Sequence, residues 1–154
     1  MQRLFIRQAI EMAVDNVRRG GGPFAALVVR EGIVIAAGAN QVTRTNDPTA
    51  HAEIVAIREA CRVLGTFQLT GCEIYSSCEP CPMCLGAIYW ARPERVCFAA
   101  GAGQAAAAGF DDAFIYEQFR LPPSRRSIPM LRVMDEHATH PFEEWVNQTA
   151  KVEY

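Results

Sequence analysis

His51-Ala52-Glu53 and Pro80-Cys81-Pro82-Met83-Cys84 put an imidazole, a carboxylate and two thiols into two short stretches of one chain. Imidazole nitrogen and thiolate sulfur are donors that zinc prefers. Three such donors leave the fourth tetrahedral position to water, as in catalytic sites, whereas structural sites take four protein ligands. Zinc brings the pKa of a bound water from about 15.7 down to roughly 7, which makes hydroxide available at neutral pH. His51, Cys81 and Cys84 are therefore the candidate ligands of one Zn2+ per subunit, and Glu53 is left beside the water without needing to be a ligand.

A carboxylate in that place can take the water's proton, pass it to a ring nitrogen and later protonate a departing amine. One group thus serves as base and then as acid, and the reaction class is hydrolytic deamination of an amidine-like carbon. His-x-Glu with Pro-Cys-x-x-Cys is the signature of zinc nucleobase deaminases. Cys-x-x-Cys by itself also fits half of a structural zinc site or a redox pair. Neither His137 nor His140 has an obvious local partner with which to complete a four-ligand site. His-Ala-Glu and Pro80 tilt the reading to catalysis; the plain alternative for Glu53 is a solvated acid in a first helical turn.

These side chains need elements that aim them. Cys81 and Cys84 are about one helical turn apart, so a helix opened by Pro80 and running to about residue 90 brings their sulfurs together. Both then sit near free N–H groups and the positive end of the helix dipole, which favour thiolate. His51 and Glu53, two apart, would diverge in mid-helix but not at the open start of one. Two helix N-termini facing one zinc satisfy both spacings. Asn46-Asp47-Pro48 is the start signal for the first of them, with Asp47 as cap, and Ile54, Ile57, Cys61 and Leu64 as its inward stripe before Gly65.

Elsewhere, residues 4–19 read as a helix whose stripe is Leu4, Ile6, Ile10, Ala13, Val14 and Val17. Gly20-Gly21-Gly22-Pro23 ends it; no Gly-Lys-Ser/Thr follows, so a phosphate loop is disfavoured. Strands are expected at 24–29 and 33–37 (a hairpin through Glu31-Gly32), 73–77, 95–100 and 130–134. Residues 101–109 fit a tight loop or short helix, Pro122-Pro123 breaks the chain, and 141–151 reads as a last helix. The expected fold class is α/β: a three-layer α/β/α sandwich around a central mixed five-stranded sheet, one domain over 1–154, with both ligand helices on one side. Trp90 and Trp145 are expected in the core, and Arg92 to hold a loop.

With 154 residues, half of them apolar, the chain can bury a core without disulfides. A formal net charge of −2 with scattered Lys and Arg argues against a domain built to grip a phosphate backbone, so no nucleic-acid partner is expected. Met1-Gln2-Arg3-Leu4 opens no apolar signal core, and no apolar run is long enough to cross a bilayer. The six cysteines are then expected reduced, in a cytoplasmic protein without a membrane partner.

Thr49-Ala50-His51-Ala52-Glu53 and residues 77–92, Ser-Cys-Glu-Pro-Cys-Pro-Met-Cys-Leu-Gly-Ala-Ile-Tyr-Trp-Ala-Arg, resemble the cytidine deaminase-like superfamily, and more narrowly its bacterial guanine deaminases. The resemblance runs on through Gly109-Phe110-Asp111-Asp112-Ala113-Phe114-Ile115-Tyr116 to Tyr154. Related tRNA adenosine deaminases share the zinc motifs but typically carry a Lys/Gly/Ala-Gly-Ser-like stretch after the strand ending near Ala100, where this chain has Gly-Phe-Asp-Asp.

The resemblance implies conversion of guanine and water to xanthine and ammonia, with zinc-bound hydroxide attacking C2 and Glu53 shuttling protons. It implies a homodimer in which the C-terminal segment, about 136–154, crosses to the partner and closes its site. It also implies that Phe24, Asn40, Ala52, Asp112 and Tyr154 contact the base, and that Asp112 assists proton transfer. The chemistry suits these roles: an ionised Asp112 accepts from guanine N–H groups, Asn40 both donates and accepts, and Phe24 offers a flat face. Residue by residue, other readings stay open. Phe24 also fits core packing, Asn40 a turn, Asp111 and Asp112 a solvated pair or cap, and Tyr154 a frayed end. At the level of activity, the alternatives are a tRNA adenosine or cytosine deaminase, side activity on triazines such as ammeline, and a zinc-stabilised binding protein without turnover.

Overall fold

The computed structural model describes residues 1–110 and 112–154, and Asp111 lies outside the described residues. The chain divides into two compact units, Met1–Asp112 and Ala113–Tyr154. The first unit holds α1 (Gln2–Arg18), β1 (Ala25–Arg30), β2 (Ile33–Ala39), α2 (Val42–Thr45), α3 (Ala52–Leu64), β3 (Cys72–Cys78), α4 (Pro82–Ala91), β4 (Arg95–Ala100) and α5 (Ala102–Ala107). Its sheet runs in the order β2-β1-β3-β4. β1 is antiparallel to both neighbours, and β3 and β4 are parallel, joined through α4 as a βαβ unit.

Alternation along the strands separates two cores. Leu27, Val29 and Tyr75 face Phe5 and Ala9 of α1 on one side. Ala26, Val28 and Ile74 face Ala52, Ala56 and Ala60 of α3 together with Ile88 and Ala91 of α4 on the other. The expected three layers and the shared side of the two ligand helices are both present. The sheet, however, has four strands among the described residues, where five were expected. Residues 130–134 take no strand conformation: within its own unit the segment finds no strand to pair with, and Leu131 and Val133 are 78% and 84% exposed. Apolar alternation does not make a strand without a ladder partner.

Three further expectations are corrected. α1 buries Phe5, Ala9, Ala13 and Asn16, so of the expected stripe only Ala13 is buried, while Leu4, Ile10, Val14 and Val17 are exposed. Small alanines let the helix lie close on the sheet, and Ile10, Val14 and Val17 line an open groove with Pro23, Ala99 and Ala100. Asp47 does not cap α3; its carboxylate accepts from the Thr49 N–H (2.8 Å) and hydroxyl (2.7 Å), an Asx turn that delays the helix to Ala52. Trp90 and Trp145 are 64% and 40% exposed, not core. Arg92 caps the end of α4 in the left-handed conformation.

The second unit holds α6 (Ala113–Arg120), a single 3-10 turn (Pro123–Arg125) and α7 (His140–Asn147), which ends four residues before the expected 151. None of its described residues is buried. Among the described residues of both units, no helix is long and apolar enough to cross a membrane.

Candidate metal centre

His51 is the N-cap of α3 and Cys81 the N-cap of α4, with nearly equal extended backbone angles (φ −68°, ψ 156° and φ −67°, ψ 168°). Neither side chain caps its own helix. The carbonyl of each instead accepts the first intrahelical bond, from Val55 (2.9 Å) and Leu85 (2.8 Å), so the side chain is released to point away from the helix end. Cys84 follows one turn into α4 and is fully buried. The start of α3 is seated by Gly38 on β2: a Cβ there would stand 2.6 Å from the Ala56 nitrogen and collide with the Ala52 carbonyl. Only glycine permits that approach of helix to strand.

The donor atoms of His51, Cys81 and Cys84 lie within 4.8 Å of one another, the only such cluster of three among the described residues. His51 Nδ1 is 3.5 Å from Cys81 Sγ. Ligand atoms around a tetrahedral zinc stand roughly 3.5–3.8 Å apart at normal Zn–N and Zn–S lengths. The donor set and its spacing therefore fit zinc.

The electrostatics divide the two thiols, which were both expected to favour thiolate. A hydrogen bond from Cys84, helped by His51, brings the Cys81 thiol down to about 4 against the opposing effect of burial. His51 is raised, first by its contact with Cys81 and further by the charges of Glu53 and Asp112. Cys84 is pushed far up because it donates to Cys81 and is buried; a coordinated cation reverses this and removes the proton outright.

Glu53 sits at the second residue of α3, 5% exposed, and is outside the three-donor cluster. Its Oε1 accepts a hydrogen bond of 2.8 Å from the Ser76 hydroxyl. Phe24, His51, Glu53, Cys78, Glu79, Cys81, Phe110 and Asp112 line one recess. Phe24 packs edge-on against Phe110, with centroids 4.9 Å apart and planes at 85°. Ala52 is fully buried at the first residue of α3. Asn40 is buried just beyond β2, with its Oδ1 accepting from Val42 N–H (3.3 Å), and it is not among the recess-lining residues. Tyr154 lies in the second unit, its ring 6.2 Å from that of Trp145.

Ser76 is a site neighbour that lies outside every quoted motif, and Cys78, Glu79 and Phe110 stand within quoted stretches without having been given a role. Strand alternation could have found two of them, because Cys72, Ile74, Ser76 and Cys78 share a face and Ile74 belongs to the α3 side.

Comparison with known proteins gives the geometry a context. Residues 1–100 match the family described as "Cytidine and deoxycytidylate deaminase zinc-binding region". Over 152 residues the chain is 54% identical to a guanine deaminase of Bacillus subtilis, covering 97% of each. An X-ray structure of a Bacillus subtilis guanine deaminase superposes with a TM-score of 0.97 at 52% identity, covering 99% of this chain and 98% of that one. A tRNA-specific adenosine deaminase of Aquifex aeolicus is 45% identical over 96 residues, 62% of this chain and 64% of that protein. A solved structure in complex with 2,6-diaminopurine matches with a TM-score of 0.71 at 36% identity, over 73% of this chain and 63% of that one.

Proposed function

The chain belongs to the cytidine and deoxycytidylate deaminase zinc-binding family, and from that premise we propose that it hydrolyses free guanine to xanthine and ammonia. The observation that carries the choice of base is the reach of the similarity. Resemblance to the tRNA adenosine deaminase covers 62% of the chain, whereas resemblance to the guanine deaminase covers 97%. A purine ligand in a more distant relative supports a nucleobase as substrate.

His51, Cys81 and Cys84 hold one zinc ion per subunit in this reading, and the ion supplies the Lewis acidity that makes water ionise near neutral pH. Glu53 takes the first proton of the attacking water and delivers it to a ring nitrogen, then takes the second from the hydroxyl now on C2 and passes it to the amine as the C2–N bond breaks and C2=O forms. The oxygen of water stays on C2 and the amine leaves as ammonia, so the carboxylate is regenerated. Asp112 accepts hydrogen bonds from the guanine N1 and N2 side and assists proton transfer there. Phe24 offers its ring to the base, and by the family resemblance Ala52 contacts the base and Asn40 addresses its O6/N7 edge.

The enzyme is further proposed to be a cytoplasmic homodimer, its C-terminal segment (about 136–154) exchanged so that Tyr154 closes the partner's site. The exposed apolar side chains of the second unit, among them Phe142 (70%) and Val146 (68%), support this, because a segment without a core of its own needs an apolar surface to lie on. Removing residues 152–154 should depress turnover or affinity with zinc content unchanged; unaltered kinetics would confine the tail to packing.

Ammonia release from guanine, adenine, cytosine and adenosine-containing tRNA tests the substrate. Turnover of guanine in preference to the others is expected. Release from tRNA or cytosine alone would overturn the assignment, and release from none would favour a zinc-stabilised binding protein.

A further inference from the structure

Ser76 is 1% exposed, and its hydroxyl lies 2.8 Å from Glu53 Oε1. It is paired with Ala26 of β1 on one side and Phe98 of β4 on the other, so its backbone is held from both directions in mid-sheet. Glu53 is fixed at its helix backbone and its carboxylate also meets the Cys84 thiol, which belongs to the metal cluster and not to the sheet, so a side chain with three rotatable bonds depends on Ser76 for its anchor to the sheet. The hydroxyl has one proton to donate and an ionised carboxylate can only accept, so the bond runs from serine to glutamate. On the face that β3 turns to α3 and α4, the other residues are Cys72, Ile74 and Cys78, none of which offers an O–H. Ser77, next in sequence, points to the opposite face, where its Oγ accepts the Ala25 N–H at 3.1 Å and serves the sheet.

We propose that Ser76 is a positioning residue, anchoring Glu53 Oε1 to the sheet so that Oε2 is the oxygen that takes and returns the proton. The inference rests on the reading of Glu53 as proton carrier. One water is consumed and the carboxylate is restored: the first water proton passes through Oε2 to the ring nitrogen, the second passes from the C2 hydroxyl through Oε2 to the leaving amine, and the serine keeps its own. Fixing one oxygen lowers the number of carboxylate orientations to be lost on reaching the transition state, which acts on kcat and leaves binding alone.

The test compares the full-length wild type with Ser76→Ala, Ser76→Thr, and Ser76→Ala combined with Glu53→Gln, measuring zinc content, kcat and KM for guanine. Ser76→Ala should retain zinc and keep KM within about twofold while kcat falls about tenfold, the scale of one charge-assisted hydrogen bond. Ser76→Thr, which restores a hydroxyl on a β-favouring side chain, should recover most of that loss. In the Glu53→Gln background, Ser76→Ala should cost nothing more, because the group through which it acts is gone. A zinc-loaded Ser76→Ala protein with wild-type kcat overturns the inference, as does an equal tenfold loss in the Glu53→Gln background, which also decides the matter if the threonine variant does not fold. The wild-type rate separates two failures: its absence defeats the functional reading and this inference together, whereas its survival in Ser76→Ala defeats this inference alone.

Discussion

α3 and α4 begin alike and continue differently. Each places a candidate metal ligand at its N-cap in extended backbone, with the next residues entering a helix on the same face of the sheet. α4 adds a second thiol at Cys84 and carries no charged residue along its length. α3 adds Glu53 instead and goes on as an amphipathic helix with Arg58, Glu59 and Arg62 on its outer side. In the proposed reading, one helix start serves metal binding and the other metal binding plus proton transfer. The free N–H groups and positive dipole at both ends favour the anionic groups that each presents.

Breaking the binding half should have the largest effect. Cys84→Ser or His51→Ala removes one donor of three, and both zinc and turnover should be lost; metal analysis after gel filtration alongside an ammonia assay checks it. Retention of a full zinc complement by either variant would show that the helix starts are not jointly the metal site.

Breaking the proton-transfer half should separate the two functions. Glu53→Gln keeps shape and removes the titrating group, so zinc should stay while kcat falls by about 10²–10⁴. Loss of zinc in step with rate would make Glu53 a ligand and erase the difference between the two helices.

A smaller effect should come from the contact that seats α3 alone. Gly38→Ala drives a methyl into the Ala52 carbonyl and the Ala56 nitrogen, both backbone atoms that cannot rotate away. A stability loss of about 1–3 kcal/mol is expected, with weaker zinc affinity through displacement of His51. Denaturant melts and competitive zinc titration would report it; an unchanged affinity would mean that α3 can shift without moving its cap residue.

The three-donor cluster was legible because a shared metal would impose spacing on the chain. Cys81 and Cys84 had to share one helical turn, and His51 and Glu53 could converge only at an open helix end, which is where they lie. What escaped were contacts set by the third dimension. The Ser76–Glu53 bond links residues 23 apart through strand alternation, and no motif announces it. The inward face of α1 was judged only in part: Ala13 is buried and Ile6 packs against the core as expected, but Phe5 and Ala9 take the places given to Leu4, Ile10, Val14 and Val17. Residues 130–134 carry strand-like alternation, yet a strand depends on its neighbour as much as on its own residues. Asp47 could be read as a helix cap, but its side chain was already used by Thr49.

Zinc-edge X-ray absorption on the protein, with the metal counted per chain, tests most directly whether both helix starts grip a single ion. One zinc per chain, bound by two sulfurs and one imidazole with a lighter atom completing the shell, is the expected result. A four-sulfur shell, a coordinated glutamate, or no stoichiometric metal in protein grown with ample zinc would contradict it.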